Sequence, residues 1–262
     1  MASEGAMDIR IIVAAHKTYW MPRDPVYLPL QVGAAGKESL GFQSDATGDN
    51  ISRYNPYYCE LTGLYWAWKN LSCDVVGLCH YRRYFGHKIL SHSLEKKKNA
   101  IFHKEDYEAL LQEFDVIVPE KRHYYIESVR SQYEHAHHKR DLDLVEQIIS
   151  QKYPAYKAAF ETVMDRSSLY LWNMFVMDKK RFDAYCTWLF DILFLLEPSV
   201  NLKDYSSYEA RVFGFLAERL WNVWLEKQQL QKVEVPVVFL ERIDWPRKIR
   251  DFLERKFIGK KS

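Results

Sequence analysis

No stretch of the chain is apolar for long enough to span a bilayer, and no signal peptide opens it. Cysteines are few. Cys59, Cys73, Cys79 and Cys186 show neither metal-ligand nor redox spacing, and they read as reduced thiols of a cytoplasmic protein. A surplus of either charge is also missing: the net charge is +2, which argues against a dominant nucleic-acid surface. There is no Gly-rich phosphate loop, no Gly-x-Ser-x-Gly elbow and no His-Glu-x-x-His pair, so no short motif names a reaction. No internal repeat or linker divides the 262 residues, which suits one large domain.

What is present is an ordinary globular composition. Hydrophobic residues make up 48% and charged residues 27%, enough apolar matter to bury a core. Aromatics reach 15%, a share that suits a cleft stacking on sugar or base rings and equally suits core filling. Ile9–Ala15 is a strongly apolar run followed by His16, Lys17, Thr18 and Tyr19, the way many nucleotide-binding α/β domains begin. Pro22, Pro25 and Pro29 then argue against regular structure. Val32–Asn50 is a Gly- and Asp-containing loop of a length that tends to be functional. Asn55-Pro56 reads as the N-cap and first-turn proline of a helix to about Lys69, with Tyr58, Leu61, Tyr65 and Trp68 on its core face. Asp74–Phe85 opens as a buried strand and ends in His80, Tyr81, Arg82 and Arg83.

Beyond it the pattern predicts a basic loop over Gly86–Ala100, a helix over Asp106–Glu113 and a strand over Asp115–Pro119. A polar, His-rich tract over Lys121–Arg140 follows, then helices over Leu142–Ser150 and from Pro154 to about Met164. Tyr170–Met177 reads as a buried strand with Asn173 its one polar interruption. Helices over Arg181–Leu196 and Ser207–Lys227 and a strand over Val233–Leu240 complete the alternation. The whole predicts an α/β, Rossmann-like single domain with a mostly parallel central sheet flanked by helices. Met1–Ala6 reads as a remnant of cloning ahead of a natural start at Met7. Asp244–Ser262 reads as a basic amphipathic helix, with Trp245, Ile249, Phe252, Leu253 and Phe257 at helical spacing. Such a helix suits an anionic membrane surface, and equally suits packing on the domain.

In an open α/β sheet, ligands bind beyond the carboxyl ends of the strands. His80–Arg83 stands at such an end. Two guanidiniums there offer planar forks matched to the oxygens of a diphosphate, or they are surface charges flanking a strand. Asp45, Asp49 and Asn50 could hold ribose hydroxyls, an acceptor or a cation, or could make Asx-turns. His123, His135, His137 and His138 raise the prospect of zinc, but no Cys partners them, and His135, His137 and His138 cannot share one helical face. Arg211, Gly214 and Glu218 share a face of their predicted helix, and Gly214 there admits a close approach by backbone or ligand.

Several segments carry a resemblance to a known family: Tyr27–Ala34, Thr47–Lys69 (Thr-Gly-Asp-Asn-Ile-Ser, then Tyr-Cys-Glu-Leu-Thr-Gly-Leu-Tyr-Trp-Ala-Trp-Lys), His80–Phe85, Asn173–Met177 and Gly214–Leu220. They resemble a bacterial family first labelled a domain of unknown function in capsular-polysaccharide and O-antigen clusters, whose members are recognised as galactofuranosyltransferases of GT-A type. The resemblance implies UDP-galactofuranose as donor. It implies as acceptor a glycan on a polyprenyl diphosphate, met at the cytoplasmic face of the membrane by a peripheral enzyme. The implied donor-binding residues are His16, Lys17, Asp45, Asp49, Asn50, His80, Tyr81, Arg82, Arg83, Asn173 and Arg211. GT-A enzymes usually place an Asp-x-Asp metal site where this chain has His80-Tyr81-Arg82-Arg83. A metal-free reaction is therefore expected, with cations stabilising the leaving diphosphate. Manganese or magnesium held by Asp45 and Asp49 is the alternative. An inverting transfer to a beta linkage needs a base for the acceptor hydroxyl. Glu209 and Asp141 lead the candidates, with His138 and Asp143 behind. Two other classes remain open, a non-catalytic nucleotide-sugar or glycan-binding subunit and a His-rich zinc hydrolase.

Overall fold

The computed structural model describes residues 7–241. The expectations for Met1–Ala6 and for the helix over Asp244–Ser262 lie outside those residues. The strands are β1 (Ile9–Ala15), β2 (Tyr27–Gln31), β3 (Gln43–Ser44), β4 (Val75–His80), β5 (Arg83–Phe85), β6 (Val116–Pro119), β7 (Arg122–His123), β8 (Ser168–Leu169), β9 (Phe175–Asp178), β10 (Lys232–Val235) and β11 (Val237–Phe239). The helices are α1 (Asn55–Tyr58), α2 (Leu61–Asn70), α3 (Leu94–Asn99), α4 (Lys104–Glu113), α5 (Val129–Ala136), α6 (Lys139–Lys152), α7 (Lys157–Asp165), α8 (Lys179–Leu196) and α9 (Val212–Gln228). Among the described residues no helix is long and apolar enough to cross a membrane.

The main sheet runs in the order β10-β6-β9-β4-β1-β2-β3, with β5 hydrogen-bonded to β4 and β11 to β5. Along that path the strands share one direction except β9, which runs antiparallel to both β4 and β6. Both faces are covered, and the two-residue period of a strand decides which side chain goes where. Ile12, Ala14, Val76, Leu78, Val116, Val118, Phe175 and Met177 join the larger core, beneath α2 and α5 to α9. Ile9, Ile11, Val13, Val75, Cys79, Ile117 and Val176 join the smaller core on the opposite face, with Tyr84, Phe102 and Tyr107. Much of the aromatic excess is core material: Tyr58, Tyr84, Tyr107, Tyr133, Tyr185 and Trp221 are fully buried.

The structure departs from the sequence pattern where the backbone turns without a local signal. Pro29 lies inside a strand. The bonds Ile11 N–H to Val26 O and Val32 N–H to Ala15 O fix the alternation of β2, so Pro29 points its absent N–H away from β1. On that side β3 pairs only with Leu30 and Gln31, and no ladder bond is lost. The helix expected from Asn55 to Lys69 breaks at Cys59, whose φ is 54°. Asn55 does not cap by its side chain; its Nδ2 donates to Cys59 O at 2.7 Å and bridges the break. Of the strand expected over Tyr170–Met177 only the end is strand, as β9 from Phe175; left-handed Trp172 and Asn173 precede it, and β8 ends before Tyr170 and pairs with β7 in a separate two-stranded sheet. Gly86–Ala100 contains α3, the helix expected from Ser207 begins as a 3-10 turn over Glu209–Arg211, and Pro236 divides β10 from β11.

Asp45 organises the long loop after β2. It is fully buried, and its oxygens accept from Gly33 N (2.8 Å), Ala34 N (3.0 Å), Ser52 Oγ (2.5 Å) and Thr62 Oγ1 (2.7 Å). Gly33 sits at φ 64°, and a Cβ there would lie 2.4 Å from Asn55 Cγ. One carboxylate thus ties β2, the loop and α2 together. Asp45→Ala strands two backbone amides and two hydroxyls, and is expected to lower stability by about 2–5 kcal/mol in urea denaturation. An unchanged midpoint would reject the role.

Candidate active site

Three chain ends meet at one edge of the sheet. His16 and Lys17 follow β1, His80 ends β4 and leads through Tyr81 and Arg82 to β5, and Trp172-Asn173 precede the reversed β9. Tyr81 is the buried hub of the first two. His16 meets its ring edge-on at 5.2 Å and Tyr19 at 5.1 Å; Lys17 Nζ lies 5.6 Å and the Arg82 guanidinium 4.8 Å from its centre. Partial burial, then the positive charges of Arg82, Lys17, Lys37 and Arg211, hold the His16 imidazole below its usual value. A neutral imidazole ringed by cations marks a field that favours an anion. Arg82 is paired with Glu241 at 2.6 Å. Arg83 is half-buried between the rings of Trp172 and Phe239, at 5.6 and 6.0 Å, and among the described residues it has no ion-pair partner. Burial, with Arg82 next to it, lowers its pKa.

The Trp172-Asn173 turn is strained. Two successive non-glycine residues stand at φ 70° and 53°, a conformation that costs about 1–2 kcal/mol each. The side chains of His80, Glu60 and Glu218 hold it. Trp172 N–H donates to Glu218 Oε1 at 2.8 Å, and His80 Nε2 lies 2.7 Å from Trp172 O. Asn173 Nδ2 donates to Glu60 Oε1 at 2.8 Å and to Gly214 O at 3.4 Å. A carbonyl only accepts, so His80 Nε2 carries the proton. Burial keeps the His80 imidazole below its usual value against the pull of Glu60. Burial also holds the Glu218 carboxyl above its usual value, although Arg219 pairs with it at 3.1 Å. Beside the turn, Arg211 Nε donates to Cys59 Sγ at 3.2 Å, and the missing side chain of Gly214 leaves room for that sulfur. Burial pushes the Cys59 thiol up to about 11, so it is no thiolate nucleophile at neutral pH. Glu60 and Trp172 were not expected here, and Glu218 only as a helix-face residue. The one signal for Glu60 was its place in the Tyr-Cys-Glu-Leu run.

The candidate bases converge in a second recess, lined by Tyr133, His137, His138, Asp141, Glu209 and Phe215. His138 Nε2 lies 3.3 Å from Glu209 Oε1, and the His138 ring stacks on Tyr205 at 4.2 Å. Tyr205 donates to Asp141 Oδ1 at 2.7 Å, and Asp141 is buried behind it. Glu209 Oε2 accepts from Ser206 N at 3.0 Å. Asp143 stands apart, bonded to Lys139 at 2.6 Å on the outer face of α6. The recess and the cleft are neighbours: Phe215 stacks on His137 at 4.1 Å, and the Arg211 guanidinium lies 5.3 Å from the same Phe215 ring.

Other candidates are engaged elsewhere. Asp45 is saturated by its four donors, Asp49 accepts from Tyr65 OH at 3.1 Å, and Asn50 makes an Asx-turn to Ser52 N. The His-rich tract disperses: His123 is exposed on β7, His135 pairs with Glu127 at 2.8 Å, and His137 and His138 stack on different rings. Among the described residues no three His, Cys, Asp or Glu side chains form a group that could hold a metal ion. The Asp45 and Asp49 carboxylates do not fit the divalent cation usual in GT-A sites.

Burial holds the Asp141 carboxyl above the usual carboxylate range, against the hydrogen bond from Tyr205 and the charge of His138. The folded chain then binds this proton more tightly than the unfolded chain. Stability from this group falls as pH rises through the ordinary carboxylate value toward the folded one. Asp141→Asn removes that loss. Its stability relative to wild type is expected to be greater at pH 7 than at pH 4 in thermal denaturation, and a difference that does not vary with pH would contradict this.

No curated protein matches the chain. It is similar to a solved structure described as the WbbM bifunctional glycosyltransferase in its apo form, with a TM-score of 0.82 and 33% identity. The match covers 90% of this chain and 46% of that one, so the chain spans about half the length of this relative. The likeness fits the expected GT-A-like α/β fold, a mostly parallel sheet flanked by helices. A family model described as a domain of unknown function, DUF4422, matches residues 10–229, and the chain belongs to that family.

Proposed function

We propose that the chain is a glycosyltransferase that moves galactofuranose from UDP-galactofuranose to a hydroxyl of a glycan carried on a polyprenyl diphosphate, with inversion to a beta linkage. The carrying observation is the likeness, at 33% identity over 90% of the chain, to a protein described as a bifunctional glycosyltransferase. The cationic cleft supports it, because a half-buried Arg83 that forms no ion pair among the described residues is suited to an anionic leaving group. Donor, acceptor and linkage rest on the family resemblance, as does a peripheral position at the cytoplasmic membrane face.

In this reading the diphosphate lies against Arg83 and Arg82, near Lys17 and Arg211. The acceptor oxygen bonds to the anomeric carbon as that carbon's bond to the phosphate oxygen breaks, and UDP leaves with the electron pair. Glu209, with His138 at 3.3 Å, takes the acceptor proton. Asp141, buried behind Tyr205, orients that tyrosine rather than touching the acceptor. No step is assigned to a metal.

Arg83→Ala is expected to weaken UDP binding and to slow transfer by about 10²-fold or more. Arg82→Ala should act in the same direction but less, because Glu241 already holds Arg82. Titration with UDP and a UDP-release assay check both, and wild-type turnover in the two variants would remove the reading. Activity is expected to survive EDTA; complete loss restored by manganese would reject the metal-free form. Glu209→Gln should cut turnover while preserving UDP affinity. Unchanged turnover would clear Glu209 of the base role, and UDP-sugar binding without any wild-type turnover would favour a non-catalytic subunit.

A further inference from the structure

We infer that the Trp172-Asn173 turn is the element that reads the transferred sugar: the Trp172 indole is a platform for the hexose ring, and Asn173 Oδ1 accepts a hydrogen bond from one of its hydroxyls. The inference rests on the nucleotide-sugar reading above. Asn173 is 1% exposed, its Nδ2 has two acceptors, and its Oδ1 has no partner among the described residues. A buried acceptor without a donor is uncommon, and a ligand O–H satisfies it. Trp172 is partly exposed and braced edge-on by Phe239 at 5.3 Å, with the Arg83 guanidinium 5.6 Å from its ring. An aromatic face beside a phosphate-binding cation is where a sugar joined to that phosphate would lie.

The sheet order gives the direction. β9 lies on the far side of β4 from β1, and Asn173 touches Gly214 of α9, the helix whose Phe215 lines the recess of His138 and Glu209. A diphosphate on Arg83 therefore sets the hexose over the turn, between the leaving group and the base. Strain retained in two adjacent residues and clamped by His80, Glu60 and Glu218 fits a preformed binding element. Glu218 is in this account a positioning residue that acts through the Trp172 amide.

The test titrates UDP and UDP-galactofuranose separately into wild type, Asn173→Gly and Trp172→Ala. Glycine accepts the left-handed backbone while deleting Oδ1, and with it the Nδ2 bonds to Glu60 and Gly214. In both variants the loss of affinity for UDP-galactofuranose is expected to exceed any loss for UDP by about tenfold. Glu218→Ala should raise the donor KM, and Glu218→Gln, which keeps the acceptor for Trp172 N–H, should restore it. Equal losses for UDP and the sugar nucleotide, or no loss for either, would overturn the assignment and leave the nucleotide-sugar reading standing. A wild type that binds the two equally would overturn it whatever the variants do, including variants that lose the native near-UV circular dichroism. A wild type that binds neither would overturn the nucleotide-sugar reading and this inference with it.

Discussion

The reversed direction of β9 is the constraint on which the cleft depends. In a purely parallel sheet the amino end of a strand lies opposite the carboxyl ends of its neighbours, far from the ligand crevice. Because β9 is antiparallel to β4 and β6, its entry turn lies beside the exit of β4. His80, the last residue of β4, can then bond the carbonyl of Trp172 directly. The same reversal brings α9 against the turn through Gly214 and Glu218. Remove the reversal, and the cations after β1 and β4 would face neither an aromatic ring nor the recess of α5, α6 and α9.

Charge in the cleft is arranged by what each group is bonded to. The carboxylates of Glu60 and Glu218 point inward and accept from an amide side chain and a backbone N–H. His16 and His80 are pushed toward the neutral form, mainly by burial. Net positive field is left with Lys17, Arg83 and Arg211, which lie over aromatic faces and beside a thiol, while the nearby Glu60 and Glu218 carboxylates accept from other donors. Cations over rings retain part of their stabilisation without being neutralised.

The strands and helices with strong periodicity were legible in the sequence. β1 has its expected bounds, and β4, β6, α4, α6 and α8 fall within a few residues of theirs. Of the expected donor-binding residues, His16, Lys17, His80, Tyr81, Arg82, Arg83, Asn173 and Arg211 gather at one edge of the sheet. Asp45, Asp49 and Asn50 belong instead to the architecture of their loop. The misses share a cause. Cys59 and Trp172 adopt left-handed backbones that neither residue type favours, so no local propensity announces them and only tertiary hydrogen bonds select them. Asp45 reads as a loop acid because burial cannot be seen from one residue and its neighbours in sequence. Pro29 reads as a breaker because the direction in which its N–H would have pointed is set by the partner strand.

That orientation of Pro29 bears on how the sheet ends. An exposed edge strand offers unpaired amides to any other extended chain and is a route to aggregation. Here the last strand on one side, β3, is two residues long, and the strand behind it shows a proline without a donor on the side left uncovered. At the other edge, β10 reads Lys-Val-Glu-Val, with Lys232 and Glu234 exposed. Charged side chains on an edge oppose the docking of a further strand. The two ends of the main strand order thus oppose sheet growth by different means, one by brevity and a missing donor, the other by charge.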